Sequence, residues 1–182
     1  GTTTYTYDAL NQLSSSTDGT GNKISFTYDA NGNLTRLTYP DGRIVKYNYD
    51  AANRNTSVVD WANRTTSYTY DALGELTALT LPSQLKTTYS YDGASRLTGI
   101  VNATASKTLS AFQYALDANG NVTKVTSSGN GIETGATSYT YDAMSRLLTE
   151  TYPDASSNTY SYDAAGNRSK LVHNTGSTST TL

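Results

Sequence analysis

The chain of 182 residues contains no cysteine. That removes disulfide frameworks, thiolate metal sites and cysteine nucleophiles together. It has a single histidine, His173, so serine- and cysteine-centred nucleophilic arrangements lack parts. Charge is also sparse: 15% of residues are Asp, Glu, Lys or Arg, against about 25% in an average soluble domain. The 13 basic residues are scattered and the net charge is −2. Nucleic acid is gripped by clustered Lys and Arg, so it is not an expected partner. No apolar run approaches the roughly 20 residues of a membrane-spanning helix, so membrane insertion is not expected either. No signal-peptide pattern is visible.

What fills the chain instead is hydroxyl and tyrosine: 32 Thr, 21 Ser and 16 Tyr, against two Phe. The tyrosines are periodic. Asp8, Asp29, Asp50, Asp71, Asp92, Asp117, Asp142 and Asp163 recur at steps of 21, 21, 21, 21, 25, 25 and 21 residues. Each follows a Tyr except Asp117, which follows Leu116. This is a tandem repeat of eight units. It is clear over residues 5–170, and residues 171–182 read as a degenerate tail of one repeat domain spanning 1–182. The tail from Ser169 onward is expected to fray.

Each unit carries Tyr-x-Tyr, which places two rings on one face of a strand and a short side chain, such as Thr27, Thr69 or Ser161, on the other. No 3.6-residue apolar stripe survives the glycines, which excludes helices. The Asp opens a turn by accepting a hydrogen bond from the backbone two residues on. Three residues later stands Asn11, Gly32, Asn53, Gly74, Ser95, Gly120, Ser145 or Gly166, where a type I turn with a left-handed bulge residue needs positive φ. Ser95 and Ser145 are expected to be strained or differently turned. Two positions further on, Leu13, Leu34, Leu76, Leu97, Val122 and Leu147 mark a return strand facing the core, with Asn55 and Arg168 as exceptions. A second turn closes each unit, and all three prolines (Pro40, Pro82, Pro153) fall there. The two longer units put their extra residues in 102–107 and 127–137, expected as longer loops on one edge.

Two strands and two turns per unit give about sixteen antiparallel strands. An open ribbon that wide coils. The expected class is all-β: tandem antiparallel hairpin repeats forming one coiled, spiral β-sheet, an open tube or partial shell.

The spacing and the core Tyr28-Asp29-Ala30-Asn31-Gly32-Asn33-Leu34-Thr35 resemble the YD-repeat, or RHS-repeat, family across roughly residues 5–170. The resemblance implies an extracellular or cell-surface protein with a spiralling sheet. Some members form hollow shells around toxic C-terminal domains of bacterial toxins, teneurins carry related repeats, and YD repeats have been associated with carbohydrate binding. One element departs from the toxin branch: no Asp-Pro occurs here, so the self-cleaving segment of that branch is absent. Eight repeats supply roughly 1,700 Å² of sheet, whereas enclosing a cargo of about 100 residues needs roughly 6,000 Å². These residues amount to a slice of such a shell.

Eight of the twelve Asp occupy the turn position, and turn-building accounts for them. Asp29–Asn33 and its near copy Asp117–Asn121 have the look of calcium loops but lack the terminal Glu of an EF-hand. No catalytic residue, metal site or cofactor is therefore assigned. Fourteen tyrosines sit at the ring positions of the repeat. Tyr39, Tyr152 and Trp61 lie beside the second turn instead, next to Asp41, Asp154 and Asp60. An aromatic ring stacks on the C–H face of a sugar while a carboxylate accepts its hydroxyls. These six residues are the candidate site, with a polysaccharide or glycan surface as partner. The reading favoured is a non-catalytic extracellular binding module. The alternative is a structural wall segment of a larger toxin-encapsulating shell, with further repeats or domains in a parent chain.

Overall fold

The computed structural model describes residues 1–175 and 179–181. The chain is all-β and divides into two compact units, Gly1–Gln84 and Leu85–Leu182. The first holds β1 (Thr4–Tyr7), β2 (Leu13–Thr17), β3 (Lys23–Tyr28), β4 (Leu34–Thr38), β5 (Ile44–Tyr49), β6 (Asn55–Val59), β7 (Thr65–Tyr70) and β8 (Leu76–Thr80). The second holds β9 (Lys86–Tyr91), β10 (Leu97–Ala103), β11 (Thr108–Leu116), β12 (Val122–Gly129), β13 (Gly135–Tyr141), β14 (Leu147–Thr151), β15 (Ser157–Tyr162), β16 (Arg168–Asn174) and β17 (Ser179–Thr181). Within each unit every strand pairs antiparallel with the next in sequence. Strands contact only those neighbours, so each unit is a single-layer meander.

The turn chemistry is uniform. Asp50 illustrates it: its N–H donates to the Arg54 carbonyl at 3.0 Å, and the Asn53 N–H donates back to the Asp50 carbonyl at 3.0 Å. One Asp50 carboxylate oxygen accepts the N–H groups of Ala52 and Arg54. The bulge residue Asn53 has φ 61°. All eight positions expected to need positive φ have it, and Ser95 (60°) and Ser145 (61°) adopt it without a different turn. They make the same backbone bonds to Asp92 and Asp142. Register slips by one residue at each of these turns, as between Thr27 and Tyr28. The Thr after the core-facing Leu or Val fastens the slip: Thr35, Thr77 and Thr123 donate their hydroxyls to the carbonyls of Thr27, Thr69 and Ala115.

Several second turns repeat the same geometry, with Tyr39, Asp60, Leu81 and Tyr152 in the opening place and Gly42, Asn63, Gln84 and Ala155 at positive φ. The two insertions do not make long loops. They lengthen the strands: β10 to β13 run seven to nine residues, leaving only residues 104–107 and 130–134 between them. Backbone groups of an extended hairpin pair with one another, whereas a long loop leaves them to water. The tail also departs from expectation. Residues 168–174 form β16, and β17 pairs with it through Val172, His173 and Asn174. Residues 176–178 and 182 lie outside the described residues.

The Tyr-x-Tyr face is the more covered one: Tyr47 and Tyr49 are half-buried while Asn48 between them is exposed. Among the apolar side chains of the described residues only Val45 and Ala78 are buried, at 7% and 6% exposure, since strands contact only their neighbours in the sheet. The choice of tyrosine has a backbone reason. Tyr28, Tyr49 and Tyr70 donate their hydroxyls to the carbonyls of Leu13, Leu34 and Asn55, each fifteen residues earlier, at 2.9–3.0 Å. Tyr141 and Tyr162 do the same to Val122 and Leu147. The one Phe at a ring position, Phe26, stands in the first place of its Phe-Thr-Tyr strand end, where this bond is not made. At the second ring the tyrosine bias is therefore a fastening between repeats.

Candidate functional site

Four of the six residues singled out from the sequence come together on the second-turn edge of the first unit. Tyr39 opens the turn 39–43 and Trp61 rides on the turn 60–64. Their rings meet edge to face with centroids 6.0 Å apart, the favoured geometry for aromatic pairs. The Arg43 guanidinium lies over the indole, 4.9 Å from its centroid. Trp61 remains 47% exposed. A cavity of about 390 Å³ opens here, with Arg43, Lys46, Asp41, Asp60, Val59 and Trp61 in its lining. A second hollow of about 570 Å³ follows along the same edge between Asp60, Arg64 and the turn at Leu81, Pro82 and Ser83.

The carboxylates serve the turns first. Asp60 accepts the backbone N–H groups of Ala62 and Arg64 on one oxygen and the Arg64 guanidinium on the other at 2.7 Å. The Arg64 side chain is the main cause holding Asp60 below the ordinary carboxylate range. Asp41 accepts the Arg43 N–H and guanidinium, and the backbone bond leads its lowered pKa. Arg43 and Lys46 went unnoticed in the sequence. The signal for Arg43 is its phase: it stands four residues after the turn opener, like Arg54, Arg64, Arg96 and Arg146.

Tyr152 and Asp154 belong to the second unit and have a different setting. Tyr152, expected beside an exposed turn, is half-buried and its hydroxyl accepts a hydrogen bond from Asn158 Nδ2 at 3.0 Å. Burial first, and the Glu150 carboxylate second, push its pKa up to about 12. Asp154 accepts the Ser156 N–H and hydroxyl within its own turn. Neither has an indole beside it, since Trp61 is the sole tryptophan.

Around Tyr152 the Tyr-x-Tyr face carries a polar row the sequence reading passed over. Tyr139, Glu150, Asn158 and His173 are cross-strand partners in succession on β13 to β16. Glu150 Oε2 accepts the Tyr160 hydroxyl at 3.1 Å and Asn158 Nδ2 at 3.2 Å. Asn158 Oδ1 lies 2.7 Å from His173 Nδ1. The available signal was positional, because corresponding rows place Leu37, Val58, Leu79, Ile100 or Val125 where Glu150 stands. No group of three or more potential metal ligands occurs among the described residues.

The opposite, Tyr-Asp edge is bound from turn to turn. Arg54 donates to the Asp50 carboxylate at 2.7 Å and to the Asp71 carbonyl at 3.0 Å, and its guanidinium lies 4.8 Å from the Tyr70 centroid. Arg96 reaches the Asp117 carbonyl in the same way, and Asn33 links Asp29 to Asn53. The planar guanidinium of Arg54 donates along its edge while lying over the Tyr70 ring.

Comparison with known proteins places these features. The teneurin YD-shell family matches residues 1–86, and the RHS repeat matches residues 70–107 and 117–157. No curated protein matches the chain. Among solved structures, the complex of TcdB2-TccC3 with Cdc42 is similar over 97% of this chain at 21% identity with a TM-score of 0.76. The Tc holotoxin pore of Photorhabdus luminescens is similar over 94% at 23% identity with a TM-score of 0.70. This chain spans only 11% and 10% of the length of those two chains. By the Tyr-Asp period, seven pairs with Leu116-Asp117 standing in for an eighth, and both family matches, the chain belongs to the YD-repeat, or RHS-repeat, family.

Proposed function

We propose that the chain is a non-catalytic wall segment of a larger, extracellular YD-repeat shell. The observation that carries this reading is the single-layer sheet: strands touch only their sequence neighbours within each unit, and the aromatic face is left half-exposed. A protein that ends its burial at one layer stays marginal unless further chain covers that face. The likeness to stretches making up about a tenth of two chains in Tc toxin complexes supports it. The fastenings between successive turns and between tyrosines and carbonyls suit a wall that must stay closed.

The test is electron cryomicroscopy of the native, full-length protein. A hollow shell with residues 1–182 in its wall is expected. A native chain that holds only these repeats and encloses nothing would sink the proposal.

A second reading is favoured by one observation, the Tyr39–Trp61 edge with its 390 Å³ cavity. An exposed indole bordered by turn carboxylates suits a polysaccharide on the wall's rim. Affinity electrophoresis through gels containing single polysaccharides tests it. Retention that Trp61→Ala abolishes is expected, and unretarded migration in every gel counts against it.

A further inference from the structure

Glu150 stands at a place that six other repeats fill with an aliphatic side chain and the first with Ser16, and the bonding around it defines what it is able to take. Its Oε2 already accepts Tyr160 and Asn158, and Asn158 Nδ2 also donates to the Tyr152 hydroxyl beside it. Because the Asn158 amide nitrogen donates to Glu150 and to Tyr152, its oxygen is the atom facing His173. The reverse orientation would set oxygen against a carboxylate. His173 Nδ1 is therefore the donor in the 2.7 Å contact. Glu150, Tyr152, Asn158, Tyr160 and His173 are all half-buried, none fully enclosed. The carboxylate accepts hydrogen bonds only, and it carries the charge of the row.

A half-buried carboxylate framed by three tyrosines calls for a donor-rich organic cation. We propose that this row is a binding site for one ammonium or guanidinium group, carried by a Lys or Arg side chain of a polypeptide lying on the Tyr-x-Tyr face. The polypeptide source follows from two features. The cluster offers a single carboxylate, which matches one cation and not a polyamine; Asp154, the other nearby carboxylate, is engaged by Ser156. Leu171 and Tyr160 pair beside it on the same face and supply apolar cover for the aliphatic stem of a long basic side chain. Tyrosine rings add cation–π attraction to the head group. The proposal rests on this row alone and stands whether or not the chain forms part of a shell.

The test is calorimetric titration with N-acetyl-arginine amide, N-acetyl-lysine amide, the neutral N-acetyl-norleucine amide, a Leu-Arg-Leu tripeptide with blocked ends, and spermidine. Binding of the Arg and Lys probes is expected, with the tripeptide tightest and the norleucine amide at least tenfold weaker. Glu150→Gln is expected to weaken the tripeptide tenfold or more. Glu150→Leu restores the side chain found at this place in other repeats, so it folds, and it is expected to abolish cation selectivity. Equal binding of the Arg and norleucine probes, or no change in Glu150→Leu, overturns the site. Spermidine binding tighter than the tripeptide overturns the polypeptide source.

Discussion

Tyr49 donates its hydroxyl to the backbone carbonyl of Leu34, fifteen residues earlier, at 2.9 Å. The bond joins the end of one repeat's outgoing strand to the start of the previous repeat's return strand. A side-chain hydroxyl here meets a backbone acceptor at the register slip, where the ladder is locally disrupted.

Tyr49→Phe keeps the ring and deletes the bond. A net intramolecular hydrogen bond contributes about 1 kcal/mol, and a stranded carbonyl adds to the loss. We expect Tyr49→Phe to destabilise by about 1–2 kcal/mol in urea titrations, and Tyr47→Phe, one face-mate away, by less. Equal losses would remove the hydroxyl from the argument.

Asn55 occupies a place that Leu13, Leu34 and Leu76 fill elsewhere, and its Oδ1 is buried without a hydrogen-bond partner. Asn55→Leu exchanges an unsatisfied polar atom for apolar burial. A gain of about 1–2 kcal/mol is expected, read as a higher urea midpoint at unchanged slope.

Ser95 and Ser145 hold φ near 60°, a conformation that costs a side-chain-bearing residue about 1 kcal/mol. Ser95→Gly should raise the melting temperature by a few degrees. Ser145→Gly should gain less, since Ser145 Oγ also accepts Asn121 Nδ2 at 3.1 Å. The order of the two melting temperatures is the check.

Stability should follow a plateau in pH. Hydrogen bonds within the turns hold Asp29, Asp50, Asp92, Asp117, Asp142 and Asp163 below the ordinary value of 3.8, led by the Asn33 amide at Asp29 and by the Arg54 backbone N–H at Asp50. A lowered folded-state pKa stabilises above the unfolded value and is lost as pH falls through the folded one. Burial raises the tyrosines at 47, 139, 141, 152 and 160, with Tyr152 at about 12. For these the stabilisation is full below 10 and disappears as pH climbs towards the folded-state value. Urea midpoints should therefore be flat from about pH 5 to 9 and fall on both sides; a midpoint still rising below pH 4 contradicts the turn assignment.

Trp61 is half-exposed and lies on a turn, so Trp61→Ala should cost about 1 kcal/mol or less. Any loss of polysaccharide retention in that variant then reports on the surface and not on folding. Circular dichroism alongside the gels separates the two.

What the sequence determined was everything enforced over a few residues. Asp carboxylates bonding two and four residues ahead, positive φ at the bulge, and the alternation of rings and hydroxyls are local steric and hydrogen-bonding facts, and they were legible from Asp8 to Gly166. Tertiary structure decided what depends on register between strands. It set Tyr39 against Trp61, 22 residues apart, because two second turns stack along one edge. It turned insertions into longer strands, because paired backbone is favoured over solvated loop. It also brought Glu150, Asn158 and His173 into one row, aligned by the pairing of three strands. Their donors and acceptors specify one another only at hydrogen-bond distance, and no spacing along the chain encodes that distance.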